Sequence, residues 1–187
     1  MTVRLPKPDT MAQSIESASF MFFTKRIIGE EKDPYLIRWI IFQTPWLSLY
    51  VHKMVRSDYE RALHDHPWPF ISLVLSPYAE WWYRKHGSRY RINWGRDKQA
   101  DWNTEFRDGV LTYTVHKRGD ILVRGAHWRH RVIVEDLDKP GWTMVLTGPR
   151  VRWWGFWPKG SWCHWKSFNM ELGICESEPI PGRKGLN

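Results

Sequence analysis

Leu63-His64-Asp65-His66-Pro67-Trp68, running on through Pro69 into Phe70-Ile71-Ser72-Leu73-Val74-Leu75, is the stretch on which the fold of this chain turns. Residues 70–75 read as a strand, rich in β-branched and aromatic side chains and closed by Ser76-Pro77. In extended backbone, side chains at i and i+2 share a face, so His64 and His66 present two imidazoles about 6 to 7 Å apart. One metal ion can bridge that separation. Pro67 favours extended geometry at His66 and so helps to fix the second imidazole. Asp65 points the other way and reads as an outer hydrogen-bond partner rather than a ligand.

Outward from this stretch the same pattern continues. Residues 35–42 and 46–55 are rich in Ile, Val, Tyr and Trp, with breaks at Thr44-Pro45 and Ser57-Asp58, and read as two strands. Further strands are expected at residues 78–83, 90–93, 110–114, 120–123, 130–135, 142–147 and 151–156. Gly87-Ser88, Asp108-Gly109, Gly125, Pro140-Gly141 and Gly148-Pro149 supply the turns between them. Short strands spaced about 8 to 12 residues apart, with no helical pattern between, argue an all-β sandwich or barrel. A dinucleotide-binding α/β domain, which needs helices between its strands, is excluded. Residues 91–99 are basic and polar and read as a solvated loop.

A second histidine cluster follows Gly119-Asp120, at His127-Trp128-Arg129-His130. His130, Val132 and Val134 share one face by the period of two, with Arg129 and Arg131 on the other. Three imidazoles converging inside a barrel can hold Fe(II), Mn, Ni or Zn and leave positions open for water and substrate. The pair His64 and His66, then a strand and tight turn, then Gly119-Asp120 with His130 eleven residues beyond the glycine, resembles the two metal motifs of the cupin superfamily. The resemblance spans roughly residues 45–150. It implies a jelly-roll β-barrel in which His64 and His66 are the first-motif ligands and His130 is the second-motif ligand.

The chain departs from the cupin pattern where the first motif usually carries a glutamate, a place that falls near Ile71. Pro77 also replaces a motif glycine, and Gly125 stands where a proline is usual. Two alternatives follow: a three-histidine centre similar to that of the cysteine dioxygenases, or a centre completed from elsewhere. Glu80 is the only acidic residue in residues 70–83. On the strand after the Ser76-Pro77 turn it would reach the metal directly, hold an imidazole through its second nitrogen, or pair with a surface arginine.

The remaining histidines are ranked lower. His127 is near enough to His130 to compete as a ligand, His52 reads as a buried neutral side chain, and His86, His116 and His164 have no neighbours that define a task. Tyr78, Tyr83 and Tyr113 are candidates for an acid or a hydrogen bond to substrate. Between Trp142 and Trp165, tryptophans are interleaved with Arg150, Arg152, Lys159 and Lys166. Either the aromatics cap the barrel with the arginines in solvent, or Arg152 or Arg150 binds a carboxylate or phosphate in the cavity. At least one arginine is expected there.

Composition bounds the partners. The 28 Lys and Arg exceed the 20 Asp and Glu, giving a net charge of +8 that favours anionic partners. No run approaches 18 apolar residues, which excludes a membrane-spanning helix. Basic and aromatic residues allow a nucleic-acid reading, but no basic stripe or known binding motif supports it. No signal-peptide pattern is seen and the two cysteines, Cys163 and Cys175, are expected to be reduced, so the expected compartment is the cytoplasm.

The expected organisation is an N-terminal arm and amphipathic helix in residues 1–34, the helix over 10–28 carried by Met11, Ile15, Ala18, Phe22 and Phe23. A cupin-like β-barrel follows over 35–168, with an aromatic-rich C-terminal extension, and then a tail over 169–187. A homodimer is expected through an edge strand or the N-terminal segment. The resemblance implies a metal-dependent protein, with a non-haem Fe(II) dioxygenase acting on a small anionic molecule as the leading expectation. Glu80 and Arg152 are its candidate catalytic residues. The alternatives are a non-catalytic cupin that binds a small ligand or sugar, and a Zn- or Mn-dependent isomerase or hydrolase with Glu80 as general base.

Overall fold

The structure is a computed structural model that describes residues 20–30, 32–58, 62–85, 98–99, 109–134, 139–169 and 172–176. Its strands are β1 (Met21–Glu30), β2 (Asp33–Gln43), β3 (Ser48–Met54), β4 (Leu63–His64), β5 (Phe70–Ser76), β6 (Tyr78–Lys85), β7 (Lys98–Gln99) and β8 (Gly109–His116). There follow β9 (Ile121–Arg124), β10 (His130–Ile133), β11 (Gly141–Thr147), β12 (Gly155–Trp157), β13 (Cys163–His164), β14 (Phe168–Asn169) and β15 (Ile174–Cys175). One sheet runs β1-β2-β3-β11-β5-β9 and the other β13-β12-β4-β10-β6-β8-β7, with β14-β15 a separate hairpin. The chain crosses between the sheets at each of β5 to β6, β8 to β9, β9 to β10 and β10 to β11. That alternation is a jelly roll.

The period of two decides what faces inward. Along β11, Gly141, Thr143, Val145 and Thr147 are buried while Met144 between them is exposed. Ile28, Leu36, Met54, Val74, Tyr78, Leu122 and Val134 form one apolar cluster drawn from both sheets. A second, of Ala62, Phe156, Cys163, Trp165 and Phe168, lies under the C-terminal segment. Each fully buried Val, Leu, Ile or Phe contributes about 1.5–3 kcal/mol relative to an exposed one. The inner face is therefore apolar at these clusters and polar between them, and the polar part holds the site.

Three expectations are corrected. The helix expected over residues 10–28 is not formed at its C-terminal end: β1 pairs antiparallel with β2 from Met21↔Gln43 to Glu30↔Asp33. Phe22, Phe23, Thr24, Ile27 and Ile28 suit a pleated surface, and the β2 ladder takes up the backbone groups that a helix would have bonded internally. Residues 10–19 lie outside the described residues, as does the strand expected at 90–93. Next, residues 151–154 are not a strand, and β12 begins only at Gly155. Last, Cys163 and Cys175 form a disulfide. The turn Trp165–Ser167 and the β14-β15 hairpin bring their Cα atoms to 5.7 Å, within bridging range, so part of the expected tail is tied to the barrel.

Gly155 is a packing constraint that the sequence did not announce. A Cβ there would meet the Cys163 carbonyl oxygen at 2.0 Å, backbone against backbone. Gly155→Ala is expected to cost about 3 kcal/mol and lower the melting temperature by roughly 10 °C; thermal unfolding by circular dichroism measures it. Among the described residues, no helix is long and apolar enough to cross a membrane.

Candidate metal centre

β4 is only two residues long and lies between β10 and β12, with His64 opposite His130 on one side and Phe156 on the other. Beyond it the chain leaves the ladder but stays anchored: Asp65 N–H donates to the Gly155 carbonyl at 3.0 Å and His66 N–H to that of Ala126 at 3.1 Å. Extended geometry is thereby maintained through His66, and the two imidazoles stay on the inner face. His64, His66 and His130 offer ring nitrogens that all lie within 4.8 Å of one another. His66 Nε2 and His130 Nε2 are 2.9 Å apart.

The donor set fits a transition-metal ion. Two nitrogens bound about 2.1 Å from one ion at a right angle would be about 3 Å apart, close to the separation here. Two of the ligands are also held in the neutral form. Burial, then the neighbouring His130, pushes His64 down to about 3. Burial, then the other imidazoles, holds His66 well below the ordinary histidine range. Neutral imidazoles with free lone pairs are what a metal needs.

Glu80 settles the orientation of His130. It faces inward from β6, is 1% exposed, and receives His130 Nδ1–H on Oε2 at 2.6 Å. Its other oxygen, Oε1, receives His116 Nε2–H and Arg124 Nη2–H, each at 2.9 Å. Burial alone would raise its pKa, but the bonds from His116 and His130 and the charge of Arg124 hold it well below the usual carboxylate range. With the Nδ1 proton fixed on the Glu80 side, His130 turns its Nε2 lone pair to the cluster. Glu80 thus supports a ligand from behind, with both oxygens already engaged in hydrogen bonds.

Asp58 does for His64 a looser version of the same task. Its Oδ2 accepts Val132 N–H at 2.8 Å and lies 3.6 Å from His64 Nδ1. Burial raises its pKa, partly offset by the Val132 bond. The sequence treated Asp58 as a strand break, and no local signal distinguished it. His116 and Arg124 were likewise missed, although each follows an inward-facing neighbour two residues earlier on its strand.

Arg152 is not in the cavity. Its guanidinium donates to Asp65 Oδ2 at 2.5 Å, and Asp65, 1% exposed, also accepts from Gly155 N–H at 2.8 Å and Trp157 Nε1–H at 2.9 Å. Asp65 faces away from the imidazoles, as alternation requires, and fastens the C-terminal segment to the histidine strand instead of bonding an imidazole. Arg152→Met is expected to lower the melting temperature by several degrees with metal content unchanged, which thermal unfolding beside elemental analysis would show.

Arg150 does line the cavity, over the ring of Trp153 at 3.9 Å, and so does Arg38 from β2. His52 is buried and held well below the ordinary histidine range by burial and then by Arg38. Tyr78 lines the cavity, with burial raising its pKa well above the usual tyrosine value, while Tyr83 lies under Arg129 and Tyr113 against Trp81. His127 is exposed, His164 sits among Trp153, Trp162 and Trp165 away from the cluster, and His86 lies outside the described residues. The cavity has a volume of about 330 Å³.

A jelly-roll barrel that gathers an HxH pair and a distant third histidine on its inner face has the form of a cupin barrel with a candidate metal site. This chain has the cupin fold, in a variant with three histidines and no carboxylate among the described groups of the cluster. Solved structures similar to it include an RmlC-like cupin from Shewanella frigidimarina NCIMB 400, at 17% identity and TM-score 0.39, covering 71% of this chain and 92% of that one. KdgF from Halomonas sp. is 17% identical with TM-score 0.41, covering 70% and 96%. Hydroxypropylphosphonic acid epoxidase from S. wedmorenis is 10% identical with TM-score 0.43, covering 70% and 63%. No protein-family profile matches the chain, and no curated protein sequence does.

Proposed function

We propose that this protein is a metal-dependent oxygenase of the three-histidine kind, acting on a small anionic molecule. The observation that carries the reading is the ligand set: three imidazoles, two of them held neutral by burial, with the buried Glu80 committed to His130, His116 and Arg124. Neutral ligands leave the full dipositive charge of an ion uncompensated, which favours anionic substrates. An iron(II) ion there would supply the redox chemistry of dioxygen-dependent oxidation. The chain's own residues would orient the substrate, exclude bulk water and keep the His130 proton at Nδ1. The isomerase or hydrolase alternative loses support because Glu80, its expected base, has both oxygens occupied.

Metal content by mass spectrometry on protein purified anaerobically without chelator, followed by oxygen-uptake assays on small carboxylic and phosphorylated acids, tests this. Near-stoichiometric iron and substrate-dependent uptake are expected. No metal even after reconstitution would overturn the site, and metal with tight ligand binding but no uptake would make the protein a binding cupin. A homodimer belongs to the same proposal, supported by the exposed Ile71, Ile121, Val123 and Met144 on the outer face of the six-stranded sheet. Sedimentation showing only a 22.5 kDa species would end it. A cytoplasmic location is also proposed. Fractionation of intact cells tests it, and recovery of the chain, with its Cys163–Cys175 bridge, from an oxidising compartment would overturn it.

A further inference from the structure

Most interior arginines of this barrel have a carboxylate on hand: Arg56 has Asp33, Arg124 has Glu80 and Arg152 has Asp65. Arg38 has none among the described residues. It stands on the inner face of β2 between Leu36 and Ile40, which are 7% and 1% exposed, and it lines the cavity that holds the three histidines. A guanidinium taken out of water without a counter-ion is costly, and such a group persists where an anion is to be received.

The surroundings hold Arg38 in one pose. Its Nε–H donates to His52 Nε2 at 2.9 Å, the partner directly across the β2-β3 ladder. Its guanidinium lies over the Tyr50 ring at 4.8 Å, and that ring stacks on His52 at 5.8 Å and 13°. The Tyr50 hydroxyl is itself tied, donating to Gln43 Oε1 at 3.1 Å. One edge and one face of the guanidinium are therefore used, and the Nη1 and Nη2 groups make no hydrogen bond among the described residues. They form the fork that matches a carboxylate in two parallel hydrogen bonds.

We propose that Arg38, clamped by His52 and Tyr50, is the specificity-determining residue of the cavity and receives the carboxylate of a small substrate whose other end reaches the three-histidine centre. The proposal rests on the function proposed above and names its substrate class. A single fork suits a monoanionic carboxylate better than a phosphate dianion, which would draw on further donors: Arg56 is already engaged by Asp33, and Arg150 lies over Trp153 with its Nε–H on the Arg152 carbonyl. A cavity of about 330 Å³ is at the small end for ligand sites and suits a molecule of a few carbons.

Ligand-observed NMR titration of the full chain, metal-free and zinc-loaded, with glycolate, lactate and glutarate beside their amides and beside inorganic phosphate, tests the proposal. Each carboxylate is expected to bind about tenfold or more tightly than its amide. Arg38→Met should abolish that preference and Arg38→Lys should keep part of it. His52→Phe, which leaves the guanidinium but removes its acceptor, should weaken the preference severalfold, and it serves if Arg38→Met does not fold. Equal binding of acids and amides, an unchanged preference in Arg38→Met or in His52→Phe, or phosphate binding tighter than every carboxylate would overturn it. The metal reading fails separately: in metal-free protein the double variant His64→Ala, His66→Ala is expected to keep the carboxylate preference.

Discussion

Exchanging Glu80 for glutamine is expected to lower the melting temperature by roughly 10 °C and to weaken metal binding about 10- to 100-fold. Both effects come from one side chain because Glu80 joins the fold to the site. Arg124 reaches it from β9 in the six-stranded sheet, while His116 and His130 reach it from β8 and β10 in the other. A glutamine amide offers one acceptor oxygen and one NH₂ group, so either His130 or the His116 and Arg124 pair must face a donor. Removing the charge also leaves Arg124 buried against Trp128 without its counter-ion, and breaking such a pair costs about 3–5 kcal/mol. For the metal, the loss is of orientation: without the carboxylate nothing holds the His130 proton at Nδ1, and the lone pair at Nε2 is no longer guaranteed. Thermal unfolding of the metal-free protein reads the first effect and competition with a chelator reads the second. A Glu80→Gln protein with wild-type values in both would show that the carboxylate orients nothing.

The double variant His64→Ala, His66→Ala is expected to separate the site from the fold. Metal content should fall from near one ion per chain to none, while the metal-free protein stays within a few degrees of wild type. The two imidazoles are held neutral at a cost in burial, and their removal leaves Asp65, Gly155 and the β4 ladder bonds in place. The distinguishing sign is in the response to metal. Zinc at about 100 times its dissociation constant should stabilise the wild type by about 2.7 kcal/mol, a rise of roughly 5–10 °C, and the variant not at all. Elemental analysis and thermal shift with and without zinc make the comparison. A variant that still gains stability from zinc would place the metal elsewhere.

Much of the site was open to reading from local sequence. His64 and His66 share a face because alternation along an extended chain is a local rule, and the same rule turned Asp65 away. The resemblance to the cupin motifs then paired them with His130. Errors arose where local and tertiary preferences compete. Residues 21–28 carry apolar side chains at helical spacing, yet β1 follows the ladder offered by β2. Arg152 or Arg150 was expected in the cavity because they are interleaved with tryptophans, but the strand starts four residues late and Asp65 captures Arg152. Arg38 was the arginine to find: it shares its face with Leu36 and Ile40, a charge on an apolar stripe, and the period of two would have pointed it inward.

By itself the sequence determined the alternating strands, the class of barrel and the three imidazoles, since each depends on side chains a few residues apart or on a motif with fixed spacing. Only the tertiary structure decided what surrounds them. Which nitrogen of His130 bears the proton, which arginine lacks a counter-charge and whether two cysteines meet depend on groups far apart in the chain. A carboxylate's role is set by the donors that reach it first, and for Glu80 those arrive from three different strands.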